Sequence, residues 1–305
     1  MPGLTLTHAG GVTAEGAAAA AVDRWCEERT RAIHAGLGAL GVAHPVLDTI
    51  AALPPRVGVV VASHLCYLVS RAAAEEDEAA AGAAFEATAR VARVLETGRA
   101  TASRADSVRV DDPRYGSPVV LPLRAAPLAG TPRLADAVAR LEDCGMGGLL
   151  DLGLRLLVVL DPVPARGEMR SYTIRTFPGI VWTEDVACDI RLAEAIAHES
   201  AHASLNLLLA AADVTFPADL RYFSPWKGVE RPAFGLVHAA FAFSTLCGYW
   251  AAAAGGADDE QRRYCEQRRH TEAEHLRSVR PAVLDALRYV EDTELRDLLT
   301  EVCVR

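Results

Sequence analysis

Several features that would fix a function at once are missing from this sequence. It has no lysine- or arginine-rich block. Acidic residues outnumber basic ones, 40 to 31, for a net charge of −9. A strongly basic face is the electrostatic footprint of nucleic-acid binding and of attachment to anionic membranes, so both are disfavoured as partners. A cationic or neutral peptide is tolerated. There is no C-x-x-C pair: the seven cysteines, at 26, 66, 144, 188, 247, 265 and 303, are scattered and odd in number. That pattern predicts reduced thiols and a cytoplasmic protein rather than a disulfide framework. The opening stretch, MPGLTLTHAGGVTAEG, lacks the basic and apolar regions of a signal peptide. No repeat of fixed period is visible.

One uncharged run, residues 232–257, is long enough to span a bilayer. It is rich in small residues and contains His238, Gly235 and Gly248. A buried core helix explains it better, and no membrane is expected as a partner.

What the sequence does contain is His198, Glu199 and His202, an H-E-x-x-H signature inside AEAIAHESAHASLNLLL. On a helix, positions i and i+4 share a face about one turn apart. Two imidazoles so placed can hold one metal ion, with the adjacent carboxylate able to move a proton. The flanking residues are apolar nearly all round, which predicts a buried helix. A buried pair of histidines needs partners, and a metal supplies them.

Two histidines leave a metal underligated, so a third protein ligand is expected. His238 is the first choice, since a lone polar ring in GLVHAAFAF needs a reason. Spacing alone leaves open whether it is a ligand or a core histidine bonded to a carbonyl. Glu230 is the rival ligand, and Glu272 and Glu274 are further candidates. Glu194 and Asn206 continue the i, i+4 row and are candidates to orient the imidazoles. Glu199 is the candidate catalytic residue: a general base in a hydrolase, a ligand or outer group in an oxygenase. Lys227 and Arg231 follow an aromatic-rich turn, and a cation there suits a carboxylate.

The spacing predicts a predominantly helical α+β chain: a helical N-terminal region over 1–105, and an H-E-x-x-H metal-site domain over 106–305 with a zincin-like core and a small antiparallel sheet. Helices are expected over Ala17–Leu37, Arg56–Ala73, Ala74–Thr97, Arg133–Leu152, Asp185–Ala212, Phe234–Ala254, Asp259–Arg280 and Thr293–Cys303. Pro45 and Pro54-Pro55 read as punctuation. The cluster of Pro and Gly between Asp111 and Pro132 reads as a loop or short strands. Leu154–Leu160, bounded by Pro162 and Pro164, reads as a strand. Ser171–Arg175 and Gly179–Trp182 read as a hairpin, and two readings of it stand open: its second strand is a sheet edge that accepts an extended peptide, or it is an ordinary hairpin covering the histidine helix. Asp213–Pro232 reads as a structured loop.

Taken together, AEAIAHESAHASLNLLL and YFSPWKGVERPAFGLVHAAFAF resemble the H-E-x-x-H domain of peptide-modification proteins. Those proteins occur with ribosomally made precursor peptides, often beside radical-SAM maturases. The resembling region runs from about Ser171 to Tyr249, roughly a quarter of the chain. The resemblance implies an iron(II)- and 2-oxoglutarate-dependent β-hydroxylase of peptide side chains, despite the protease-like motif. It implies His198, His202 and His238 as metal ligands, and Ser224, Trp226, Lys227 and Arg231 around the cosubstrate. Lysine stands at 227 where the family commonly has arginine, so Arg231 becomes the better carboxylate anchor. The implied partners are a precursor peptide and a radical-SAM maturase of the same pathway. Two other readings stand beside it: a zinc metallopeptidase with Glu199 as base, and a non-catalytic peptide- or partner-binding module with a structural metal.

Overall fold

The histidine signature sits on one long helix, Asp189–Ala211. The computed structural model describes residues 4–6, 12–14, 17–110, 119–161 and 169–304. The order of elements is β1 (Leu4–Leu6), β2 (Val12–Ala14), α1 (Ala17–Ala39), α2 (Pro45–Ala52), α3 (Pro55–Ala74), α4 (Glu78–Glu96), β3 (Ala100–Ser103), β4 (Ser107–Val110), β5 (Val119–Pro122), β6 (Ala126–Pro127), α5 (Pro132–Asp143), α6 (Gly147–Gly153), β7 (Leu156–Leu160), β8 (Ser171–Thr173), β9 (Ile180–Glu184), α7 (Asp189–Ala211), β10 (Arg221–Ser224), β11 (Val229–Pro232), α8 (Ala233–Ala253), α9 (Asp259–Leu287) and α10 (Thr293–Val304). The described residues are mostly helical with small sheets, as the spacing predicts.

The chain divides into two compact units. One contains Asp23–Ala135 and Leu154–Val186, the other Met1–Val22, Asp136–Gly153 and Ala187–Arg305. The described residues within 106–135 and 154–186 thus group with the N-terminal helices rather than with the histidine helix.

The first unit holds α2, α3, α4 and a five-stranded sheet of order β6-β3-β7-β9-β8. Pro45 and Pro55 do not merely punctuate. Each starts a helix, because the first helical position needs no N–H donor and suits proline's fixed φ. The expected hairpin is present: Tyr172 pairs with Trp182 across antiparallel β8 and β9. The turn between them closes at Gly179, whose φ of 72° favours glycine. A β-carbon there would also crowd Val60 at 2.9 Å.

Two details of the sheet correct the sequence reading. Its centre is parallel, β3 with β7 and β7 with β9, so the sheet is mixed rather than antiparallel. Long connections between these strands permit that arrangement, and continuous apolar runs suit strands covered on both faces. The second correction follows from the first. β9 is paired on both sides and wholly buried, so Gly179–Trp182 is no open edge for a peptide. Of the expected loop between Asp111 and Pro132, residues 111–118 lie outside the described residues, as do Pro162 and Pro164. The described remainder forms β5, β6 and a short 3₁₀ turn.

The second unit is built on α7, α8 and α9, with α6, α10 and the β10–β11 ribbon around them. The expected helix over Arg133–Leu152 is two helices, broken at Gly145, whose φ is 77°. α6 then meets α7 at a close crossing. A β-carbon on Gly153 would fall on the Ser200 carbonyl oxygen and the Ser204 hydroxyl, and Ser204 itself donates to the Leu149 carbonyl at 3.1 Å. α9 runs on through Pro281, past the end expected from sequence. Two helices, Pro55–Ala74 and Ala233–Gly256, are long and apolar enough to cross a membrane, and 67% of the most apolar window of each is buried in the protein.

Candidate metal centre

α7 is rich in Ala and Leu and carries no Gly or Pro, which favours helix throughout. Most of its residues are buried. From 194 to 210 the partly exposed ones are Glu194, Ala195, His198, His202, Asn206 and Ala210, a single line at helical spacing. The two histidines lie on that line.

The structure brings all three sequence-predicted histidines together. His198 Nε2 lies 3.1 Å from His202 Nε2, and His202 Nδ1 lies 3.3 Å from His238 Nδ1 on α8. Phe234 packs on His238 with ring centres 4.1 Å apart, and Phe243 meets His198 edge-on at 5.1 Å. Burial, followed by the charges of Arg268 and Lys227, pushes the His198 imidazole down to about 4. Burial also holds His202 well below its usual value, helped by His198, His238 and Arg231. Both rings are therefore neutral near pH 7, the form that donates a lone pair to a metal.

Two nitrogens bound to one first-row ion at about 2.0–2.1 Å each stand about 3 Å apart. The His198–His202 pair matches that separation. His238 instead faces the opposite nitrogen of His202. Among the described residues, no three His, Cys, Asp or Glu side chains form a group that could hold a metal ion. The pair has the separation of two ligands on one ion, and His238 lies on the other side of the His202 ring.

The segment expected to be a structured loop is a β-ribbon. Arg221 pairs with Pro232, Tyr222 with Arg231, Phe223 with Glu230 and Ser224 with Val229, closed by a turn at Gly228 with φ 66°. Exposure alternates along β10 as a pleat demands, whereas Val229 and Glu230 are both exposed on β11. Arg221, Phe223, Glu230 and Pro232 are exposed, while Tyr222, Ser224 and Arg231 are not. Sequence reasoning missed the ribbon because both strands are short and of mixed polarity.

Arg231 lies on the inner face. Its guanidinium covers Gly235, where a β-carbon would stand 3.1 Å from Cζ. The glycine of G-x-x-H is thus the space the arginine occupies, one turn before His238. Among the described residues no carboxylate pairs with Arg231 or with the exposed Lys227. Ser224 is 0% exposed, and its hydroxyl has no hydrogen-bond partner.

Trp226 stacks on Phe243, with ring centres 5.1 Å apart and planes 6° from parallel. Its indole N–H donates to Glu272 Oε2 at 2.7 Å. His275 Nδ1 lies 3.2 Å from the same oxygen, and Arg268 Nη1 lies 3.1 Å from Oε1. Arg268 reaches Glu194 at 3.6 Å and lies over the Trp250 ring at 4.9 Å. Glu194 accepts from Trp250 Nε1 at 3.0 Å and from the Tyr264 hydroxyl at 2.7 Å.

The remaining candidates fall into place around this network. Glu194 is bonded to Trp250, Tyr264 and Arg268 rather than to an imidazole. Glu272 holds Trp226. Glu230 is exposed on the outer face of the ribbon, and Glu274 is exposed with His270 as its partner. The Asn206 side-chain oxygen is buried with no hydrogen-bond partner. Glu199 is 5% exposed, off the line the histidines share. Phe243, Phe234 and Arg268 were not anticipated. The signal for Arg268 was its i, i+4 spacing to Glu272; the two phenylalanines have none beyond belonging to an apolar helix.

No known family's model matches the chain, and no curated protein is similar to it.

Proposed function

We propose that the chain is an iron(II)- and 2-oxoglutarate-dependent hydroxylase acting on a side chain of a ribosomally made precursor peptide. The observation that carries this reading is Arg231, an inward-facing guanidinium without a carboxylate partner beside the histidine cluster. Half-buried unpaired charge is costly, and a ligand carboxylate gripped by two parallel hydrogen bonds relieves that cost. A plain hydrolase needs no such group.

In this reading His198 and His202 hold the ion, with His238 as third ligand. Iron(II) with 2-oxoglutarate and dioxygen supplies C–H hydroxylation, releasing succinate and carbon dioxide. Arg231 anchors the far carboxylate of the cosubstrate, with the Ser224 hydroxyl as a further donor and Lys227 as a second cation. Trp226 and Phe243 form an apolar wall that limits water beside His198. The reading extends to a zincin-like arrangement around α7, a cytoplasmic location, and service beside a radical-SAM maturase.

The test is protein loaded with iron(II) under anaerobic conditions, then given 2-oxoglutarate and air, with succinate read by NMR. Succinate is expected from the wild type. Loss of charge-assisted hydrogen bonds worth about 1.5–3 kcal/mol predicts a fall of about ten- to a hundredfold in Arg231→Ala. A wild type that neither binds nor consumes 2-oxoglutarate overturns the reading.

One observation favours a second reading. Glu199 is a buried carboxylate next to a histidine pair spaced for one ion, which suits a zinc peptidase with Glu199 as general base. It requires peptide cleavage without 2-oxoglutarate, abolished by Glu199→Gln.

A further inference from the structure

We propose that Glu272 is a positioning residue of the histidine site, acting through Trp226. The proposal shares the histidine-pair metal site with the function above, but does not need hydroxylation to be the reaction.

Glu272 is 3% exposed, on a helix whose neighbouring positions are largely charged and exposed. Burying a carboxylate costs free energy unless its oxygens are satisfied. Here three donors meet it: the Trp226 indole on one oxygen together with His275, and Arg268 on the other. Arg268 is itself held by Glu194 and by the Trp250 face, so the carboxylate is fixed from behind. A side chain so constrained has one direction left in which to act, toward Trp226.

Among the described residues the Trp226 indole N–H has Glu272 as its one hydrogen-bond partner, and its ring lies flat on Phe243. Phe243 in turn sets its edge against the His198 imidazole. The order of contact is therefore Glu272, Trp226, Phe243, His198. It joins α9, the ribbon turn, α8 and α7. His198 lies on the partly exposed line of α7, so its ring plane depends on what packs beside it. Fixing the indole fixes the phenyl ring, and the phenyl ring narrows the orientations open to the imidazole. Tyr222 makes the other long bond from ribbon to α9, to Asp285 at 2.6 Å. That bond lies toward the end of the ribbon away from the Trp226 turn.

The experiment is a double-mutant cycle on the full chain, read as zinc(II) affinity by competition with a chromophoric chelator. Glu272→Leu and Trp226→Phe are made singly and together. Trp226→Phe removes the indole N–H without changing charge, and keeps a ring to stack. Each single substitution is expected to weaken zinc binding about three- to tenfold, below the full effect of a residue bonded directly to a ligand. The double variant is expected to be no weaker than the weaker single one, because both break the same connection. Asp285→Asn is expected to lower the melting temperature with zinc affinity unchanged.

Simple additivity would mean that Glu272 acts on the ion by charge alone, and would overturn the proposal. So would unchanged zinc affinity in Trp226→Phe, which also decides the matter if Glu272→Leu does not fold. A wild type that binds no zinc overturns this proposal and the metal reading together. Absent succinate with the expected zinc cycle overturns only the hydroxylase reading.

Discussion

The guanidinium of Arg231 lies against the backbone of Gly235, 3.1 Å from where a β-carbon would be. An arginine four residues before a glycine on the next helix thereby sits one helical turn before His238, where its charge bears on His202. In Gly235→Ala the flexible guanidinium must give way by a few tenths of an ångström. Alanine also favours helix over glycine by about 1 kcal/mol. The expected result is a melting temperature equal to or above wild type, with 2-oxoglutarate affinity reduced several-fold by calorimetry on the zinc-loaded protein. Unchanged affinity would show that Arg231 does not hold the carboxylate from this seat.

Lys227 is the only lysine in the chain. An amine-acylating reagent therefore has two targets, Lys227 and the α-amino group. If Lys227 serves as the second cation, 2-oxoglutarate should slow its acylation at least threefold relative to the α-amino group, measured by peptide mass spectrometry. Equal rates with and without 2-oxoglutarate would leave the anchor to Arg231 alone.

Gly153 marks the closest approach of α6 to α7. Gly153→Ala puts a methyl group on the Ser200 carbonyl, between the two histidines in sequence, and 3.0 Å from the Ser204 nitrogen. Overpacking of this kind costs about 1–3 kcal/mol and occasionally more. A fall of that size in urea-unfolding free energy is expected, with weakened zinc binding because the backbone carrying His198 and His202 must move. A variant as stable as wild type would show that α6 relaxes away freely.

Much of this was legible from residues alone, and the reasons differ by element. α7 and α8 announced themselves because apolar residues surround three polar rings, and burial forces those rings to find one another. The β10–β11 ribbon was not legible, since Arg221, Tyr222, Val229 and Glu230 alternate too weakly in polarity to signal a strand. The position of β9 within its sheet was hidden for another reason. Whether a strand is edge or interior depends on which distant strands pair with it, and neither β7 nor β8 carries that information locally. Glu272 was noticed as a possible ligand from its residue type, but its bond to Trp226 spans 46 residues.

His64 gives a pH dependence independent of the metal site. It is fully buried, its Nε2–H donating to the Pro122 carbonyl at 2.6 Å with the Thr88 hydroxyl 3.5 Å from Nδ1. Burial pushes its imidazole from an ordinary 6.5 down to about 4, and the carbonyl only partly opposes this. Between those values the unfolded chain takes up a proton that the folded protein does not. Stability is therefore full above pH 6.5 and falls as pH drops toward 4, by about 3 kcal/mol for this residue. His64→Gln keeps a donor for Pro122 and removes the titration. Its unfolding free energy should fall less steeply from pH 6.5 to 4 than that of wild type, and parallel curves would count against the assignment.

The two units are interleaved along the chain, which passes between them at 22/23, 135/136, 153/154 and 186/187. During vectorial synthesis the first unit has all its residues once 186 has emerged. The histidine helix emerges next, after α6 but ahead of α8 and α9, with the apolar surface that α8 covers still exposed. Until α8 has emerged, this helix exposes apolar residues that the folded protein buries. No single cut of the gene yields either unit alone, so a minimal histidine-site protein calls for re-joining three separate segments rather than truncation.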